Sequence, residues 1–339
     1  MPASMWRRTL KAAFGQPDAT AHLLFLRDSQ TVTRIHFLHA AAHLGVLAEL
    51  KSPSGQEALA SKLGITRSQQ FGLFLKLGVS LGELADDAGT YRLKGRRAKA
   101  LVGPNGNVLR ALLDEQIEYH GSVYRELAEQ LRGGPLGDYL SATAAVVAES
   151  SRIAEPVISS YVTDVVTGAG PTPRVLDIGC GSGVYLRAAS QNAGATGQGI
   201  DMQPASVELT TKNLTDWGIG DRFHVTQGDI RKGASEADGP YDVVLLMNNI
   251  YYFAPEQRPA LFETLRSLVK EGGTLTLVSM FHGTSPTALN LDLVLACTQG
   301  CYALVSPEEL APELRAAGFR NVTVDRLVAR ESLLGIRAS

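Results

Sequence analysis

Apolar residues recur at helical spacing through the first half of the chain and as short strand-like runs through the second. The change falls at residues 168–173. In residues 30–50, Val32, Ile35, Leu38, Leu44 and Leu47 share a helical face that fades into the breaker cluster Ser52-Pro53-Ser54-Gly55. A short helix over 57–63 and a longer one over 67–82 follow, with Thr66 placed to cap the second. Residues 83–93 read as two short strands around an Asp87-Ala88-Gly89 turn. Longer helices over 108–131 and 142–167 are separated by Gly133-Gly134-Pro135, and Gly168-Ala169-Gly170-Pro171-Thr172-Pro173 closes the helical half.

Beyond that boundary, strands are predicted over 174–178, 195–200, 222–226, 241–246 and 273–279, with helical stretches between the early ones. Strands alternating with helices imply a parallel sheet covered on both faces. Two final strands, 321–326 and 332–337, are joined by only a few residues. A parallel crossover needs about a dozen or more, so this pair must be an antiparallel hairpin. The expected fold class is therefore α/β, with a mostly helical amino-terminal part. Domains are expected over 1–104, 105–170 and 171–339.

The chemistry concentrates in Val175-Leu176-Asp177-Ile178-Gly179-Cys180-Gly181-Ser182-Gly183. A buried strand runs into a loop with glycine at alternate positions, and a helix follows. Glycines let the backbone turn tightly and let a ligand approach main-chain N–H groups. Dinucleotide-binding folds also use such a loop, but the third glycine here comes too early for G-x-G-x-x-G. Asp177, two residues before the first glycine, would repel a pyrophosphate and suit the ammonium of a bound amino acid. Four further segments follow in order. Gly199-Ile200-Asp201-Met202 sets a carboxylate about 20 residues after the loop, where it can accept from ribose hydroxyls. Gln227-Gly228-Asp229-Ile230 offers an acid and backbone N–H groups to an adenine. Met247-Asn248-Asn249-Ile250-Tyr251-Tyr252 ends the fourth strand, and Lys270-Glu271-Gly272-Gly273 turns into the fifth.

This ordered set resembles the class I S-adenosylmethionine-dependent methyltransferase family, over residues 171 to the carboxyl terminus. The resemblance implies a Rossmann-like seven-stranded sheet with an antiparallel last strand, and S-adenosylmethionine as cofactor. By position, Asp177, Gly179, Gly181 and Gly183 would flank the methionine moiety. Asp201 would hold the ribose, with Met202 against the adenine. Gly228, Asp229 and Ile230 would meet the adenine edge, and Met247 and Asn248 would lie beside the sulfonium. The amino-terminal order of helices and hairpin resembles the winged-helix dimerisation domain of small-molecule O-methyltransferases. That implies a homodimer, a small-molecule methyl acceptor bound between the two domains, and helices 108–167 roofing it.

One position departs from the pattern. Many of those O-methyltransferases carry a general-base histidine shortly after the fourth strand, where this chain has Tyr252. A tyrosine with an unperturbed pKa near 10 is a poor base at neutral pH. Three explanations stay open. The base can come from His120, Glu118 or His282; the acceptor can be acidic enough to need little help; or a carbon or nitrogen is methylated, with Tyr252 orienting it. Tyr252 and His120 are the candidate catalytic residues.

Composition narrows the alternatives. The hydrophobic fraction of 45%, the charged fraction of 19% and the net charge of −2 describe an ordinary globular protein with no overall field for nucleic acid or anionic lipid. No apolar run reaches the roughly 20 residues of a membrane span. Three cysteines cannot form a secreted disulfide framework, so a cytoplasmic location is expected. The amino-terminal MPASMWRRTLKAAFG has no apolar core and reads as a tail. Cys180 lies in the glycine loop, where small size explains it without any reactivity, and the Cys297 and Cys301 pair read as buried thiols. Tyr119, Tyr124 and Tyr161 read as packing residues, and Lys94, Arg96, Arg97 and Lys99 as solvated surface. His36, His39 and His43 have helical spacing but no cysteine or carboxylate nearby in sequence, so no metal is assigned. A winged-helix metabolite-sensing regulator would need a basic recognition helix, and residues 67–82 offer only Arg67 and Lys76. A nucleic-acid amino-methyltransferase would carry Asn/Asp-Pro-Pro-aromatic where this chain has Asn248-Asn249-Ile250-Tyr251.

Overall fold

The computed structural model describes residue 15 and residues 18–339; apart from Gly15, the amino-terminal tail lies outside the described residues. Contacts gather the chain into two units. One holds the described residues up to Glu118 together with Ala145–Ser150, and the other holds Tyr119–Ala144 and Ser151–Ser339.

In the first unit, the helix Ala19–His43 leads to a single turn, Val46–Glu49, and then to strand β1 (Ser54–Gly55). The helix starts at Ala19 rather than residue 30. Its early apolar residues, Leu23 to Leu26, are consecutive rather than periodic and stay exposed, so no buried stripe announces them. Helices Gln56–Lys62 and Ser68–Ser80 follow, then β2 (Leu84–Asp87) and β3 (Thr90–Leu93). Arg67 rather than Thr66 stands at the N-cap of the second helix, and no side-chain cap bond forms. β3 pairs antiparallel with both β2 and β1. Ala88 and Gly89 both have positive φ, 53° and 88°, as a two-residue hairpin turn requires. Phe37, Leu38, Leu47, Leu59, Phe71, Leu75 and Tyr91 form the core of this unit.

The helix expected over 108–131 is continuous but not uniform. It runs as Gly106–Asp114, a π-helical turn Glu115–His120, and Gly121–Gln130. A π turn inserts a residue into the helical register and recurs at functional sites. The helix expected over 142–167 likewise splits into Leu140–Ser151, a 3-10 turn Arg152–Ala154, and Glu155–Gly168. Pro156 lies in the first turn of the last piece, where its missing N–H costs nothing.

The second unit is built on a seven-stranded sheet. Its strands are β4 (Arg174–Ile178), β5 (Thr196–Asp201), β6 (Phe223–Gln227), β7 (Tyr241–Met247), β8 (Val269–Met280), β9 (Val322–Arg326) and β10 (Leu333–Ala338). The spatial order is β6-β5-β4-β7-β8-β10-β9. The pairs from β6 through β8 are parallel, and β10 runs antiparallel to both β8 and β9. The hairpin expected from the short final connection is therefore present. β8 starts earlier than residue 273, because Val269 already pairs with Tyr241 and the register then slips to Val243 opposite Thr274. Gly272, with φ 77°, lies in that irregular stretch. β4 and β7 are buried on both faces, with hydrophobic clusters above and below. From β4 the chain winds outward to β5 and β6, then returns to β7 on the other side. The reversal leaves a crevice at the carboxyl ends of β4 and β7, the place where open α/β sheets take ligands.

Candidate functional site at the strand ends

The ends of β4, β5 and β7 meet at the glycine loop. Gly179, Gly181 and Gly183 all have positive φ (68°, 56° and 78°), a conformation that side chains with a Cβ resist. Gly179 N–H donates to Ile200 O at 2.7 Å, tying the loop to the end of β5. A Cβ on Gly179 would collide with the side-chain amide of Asn249, which itself donates to Ile178 O at 2.9 Å. From the helix Pro204–Asp216, Thr210 donates to Gly181 O at 2.7 Å and Asn213 donates to Ser182 O at 2.9 Å. These three polar residues hold the loop open, and sequence reading missed all of them. The signal available was Thr210 and Asn213 at helical spacing on the first helix after β5.

Two carboxylates occupy neighbouring strand ends in different states. Asp201 Oδ2 accepts from Gly181 N–H and Oδ1 from Gln203 N–H, each at 2.9 Å, so its charge is met by backbone dipoles. Asp177 is 0% exposed, and neither of its oxygens has a hydrogen-bond partner. Burial, reinforced by the charge of Asp201, pushes its carboxyl up to about 8. A buried polar group without a partner costs free energy unless something supplies the missing contact. A ligand ammonium would supply it. The same surroundings act on Cys180, whose thiol is pushed up by burial and then by Asp177 and Asp201. It is therefore a poor nucleophile, as its small size in the loop suggested. Tyr185, in the first turn of the helix Val184–Ala189, is raised by burial and then by Asp177 and Glu155.

At the ends of β5 and β6, Arg231 joins two predicted residues. Its guanidinium donates to both oxygens of Asp229, at 2.8 and 2.9 Å, and reaches Met202 Sδ at 3.3 Å. That hydrogen bonding holds the Asp229 carboxyl below the usual carboxylate range. Gly228 N–H donates to Asp201 O at 3.0 Å, which fastens the two strand ends together. Ile230 and Met247 are both buried in hydrophobic clusters, so their side chains are packing groups. Asn248 has φ 55° and donates its N–H to Val278 O at 2.7 Å, a left-handed conformation that Asn tolerates.

The candidate catalytic residues stand on separate elements. Tyr252 ends the 3-10 turn Ile250–Tyr252; its N–H donates to Asn249 O at 3.0 Å and its ring lies 4.7 Å from that of Tyr251. Its side chain is about a third exposed. His120 is buried at the end of the π turn. Asn290 Nδ2 donates to its Nδ1 at 3.1 Å, while Asn290 Oδ1 accepts from Tyr124 OH at 2.7 Å. Tyr119 shares a 2.7 Å hydrogen bond with Thr298. His282 is engaged by Asp292 at 2.8 Å and lines an open depression of about 600 Å³ with Ser285, Arg326 and Arg330. Glu118 lies 3.7 Å from His39.

With this geometry in view, residues 175–273 match the family model described as "Methyltransferase domain". The solved structure of the mitomycin 7-O-methyltransferase MmcR is similar with a TM-score of 0.79 at 18% identity, over 94% of this chain and 98% of that one. That of PigF with SAH gives 0.77 at 20% identity, over 96% and 100%. Human N-acetylserotonin methyltransferase in complex with SAM gives 0.72 at 18% identity, over 95% and 98%. At these identities the likeness establishes the fold. Among curated proteins, the tRNA1(Val) (adenine(37)-N6)-methyltransferase of Yersinia pseudotuberculosis is 33% identical over 150 residues, 43% of this chain and 54% of the relative. The chain thus spans about half the length of the curated relatives it matches. The seven-stranded sheet with its antiparallel end is the class I methyltransferase fold, and it agrees with the expectation from sequence.

Proposed function

We propose that this chain, which carries a methyltransferase domain on the class I fold, transfers the methyl group of S-adenosylmethionine to a small-molecule acceptor. The observation that carries the reading is Asp177: a fully buried carboxylate without a partner, at the foot of a left-handed glycine loop, in the crevice where the strand order reverses. It suits the ammonium of an amino-acid-bearing ligand. Asp201 keeps a lone pair on each oxygen for ribose hydroxyls. Met202 and the guanidinium-braced Asp229 border the adenine, with backbone from Gly228 to Ile230 along its edge. Asn248 offers its side chain toward the methionine portion.

When bound, S-adenosylmethionine supplies a sulfonium-activated methyl group. The chain's own contribution is then mainly position, which can supply much of the rate for so activated a donor. Tyr252 orients the acceptor by its phenol. His120, its Nδ1 engaged by Asn290, is the second group assigned to meet the acceptor.

The small-molecule reading is supported by fold likeness to O-methyltransferases over nearly the whole chain, whereas the tRNA methyltransferase match spans under half of it. The missing prolines after Asn248 and the net charge of −2 point the same way. The helix Ser68–Ser80 carries one cationic residue, Lys76, which speaks against a DNA-reading regulator. Among the described residues no helix is long and apolar enough to cross a membrane. The reading also makes the chain a homodimer through residues 1–104, and the exposed Leu23, Leu24, Phe25 and Leu26 offer an apolar face for it.

Two measurements test the function. Calorimetry is expected to show S-adenosylmethionine binding that Asp201→Ala weakens strongly. Methyl-labelled S-adenosylmethionine, offered with a metabolite extract and separately with unmodified tRNA, is expected to label the low-molecular-weight fraction. Unchanged binding in the variant sinks the site, and label in the tRNA sinks the acceptor class.

A further inference from the structure

The first unit gathers four side chains with the make-up of a metal centre. His39 and His43 lie one turn apart near the end of the helix Ala19–His43, so their imidazoles share a face. Asp114 ends the helix Gly106–Asp114, and Glu118 follows in the π turn, again four residues on. His43 Nε2 lies 3.0 Å from Asp114 Oδ1. His39 Nε2 lies 3.4 Å from the same oxygen and 3.7 Å from Glu118 Oε1. Donor atoms of His39, His43 and Glu118 all fall within 4.8 Å of one another. His36 is exposed and takes no part.

The distances separate two explanations. Charge-assisted hydrogen bonds between imidazolium and carboxylate run at about 2.7–2.9 Å. Only the His43 contact approaches that range. His39 Nε2 is buried yet makes no hydrogen bond, although two carboxylate oxygens stand near it. Donors placed about 2.0–2.1 Å from a tetrahedral ion are separated by roughly 3.4 Å along each edge. The three observed separations bracket that edge.

We infer that His39, His43, Asp114 and Glu118 form a site for a divalent transition metal, zinc before others. Two imidazole nitrogens with two carboxylate oxygens suit zinc, whereas magnesium and calcium favour all-oxygen shells. Sequence reading passed over the histidines because their carboxylates lie some seventy residues away. The bound ion would cross-link two helices of the first unit and fix the start of the π turn that ends at His120. His43 and Glu118 are both exposed, which gives the ion a path in.

The test uses the full chain, stripped with a chelator and dialysed. Titration with zinc chloride is expected to show one equivalent bound and a raised unfolding midpoint. Cobalt(II) is expected to give the intense visible bands of a tetrahedral ion. His43→Ala and Glu118→Gln, both at exposed positions, should each weaken zinc binding about tenfold or more, with circular dichroism unchanged. S-adenosylmethionine binding by His43→Ala should match the unaltered chain. No stoichiometric zinc binding by the unaltered chain, or unchanged affinity in either variant, overturns the site.

Discussion

Replacing Asp177 by asparagine keeps the side chain's shape and removes its titration, so it isolates the cost of the buried acid. An unfolded aspartate titrates near 3.9, whereas burial and Asp201 hold Asp177 at about 8 in the folded chain. The folded state therefore binds the extra proton between about pH 4 and pH 8. A group raised in this way stabilises fully below its unfolded pKa, and its contribution is lost as pH rises through the folded value. The slope for one proton is about 1.4 kcal/mol per pH unit. The asparagine variant has no such slope. The stability difference between variant and wild type is thus expected to move toward the variant by about 4 kcal/mol from pH 5 to pH 8, and then to level off. Urea unfolding at each pH measures this, and groups that do not interact with Asp177 cancel in the difference. Ligand binding supplies the second half of the test. Near pH 7 the empty site holds about nine-tenths of a proton, and the ligand's own amino group, titrating near 8, takes back about a tenth. Net release of about 0.8 proton is expected on binding, read from calorimetry in buffers of different ionisation enthalpy. The asparagine variant should release almost none and bind about a hundredfold more weakly or worse, as when one partner of a buried ion pair is lost. Parallel stability curves between pH 5 and pH 8, or full affinity in the variant, would refute the reasoning.

Tyr252→Phe keeps the ring against Tyr251 and removes the phenol; methyl transfer is expected to fall about tenfold to a hundredfold with cofactor affinity unchanged, and full activity would eliminate the orienting role. Sedimentation of the full chain is expected to give a dimer that Phe25→Glu dissociates, since Phe25 is 74% exposed beside three exposed leucines; a wild-type monomer at micromolar concentration removes the proposed interface.

What was legible in the sequence was local. β4 and β7 are apolar on both faces, the glycine loop follows the first, and the final connection is too short for a crossover, so sheet, loop and hairpin could be read without a partner in view. What escaped depends on residues distant in sequence. Asn249 reaches back to β4 across 71 residues, and Thr210 reaches the loop across 29. Arg231 engages Asp229 and Met202, two acceptors that sequence reading kept for a ligand. Ile230 and Met247 illustrate a different limit. Motif position names a residue, but whether its side chain or its backbone faces the crevice depends on local geometry, the 3-10 turn for Ile230 and the end of β7 for Met247, and both side chains are buried in the core. The π turn escaped because Glu115–His120 contains no glycine or proline to mark a break in the helical pattern.

The two acids of the crevice show why position and state must be argued separately. Both were placed by motif, at the ends of adjacent parallel strands, and by charge alone they look equivalent. Asp201 has its oxygens met by two backbone N–H groups, so its charge is tolerated by the fold itself. Asp177 has no such partners, and the charge on Asp201 disfavours ionising it. An apolar residue or an asparagine would be a more stable occupant of that position at neutral pH. A fold that retains a carboxyl group there carries a costly site, whose charge is quenched by a proton in the empty protein and would be matched by a cation arriving from outside. On the proposed function, the same group that is costly in the empty protein is the one expected to favour a positively charged amino-acid ligand over a nucleotide with a pyrophosphate.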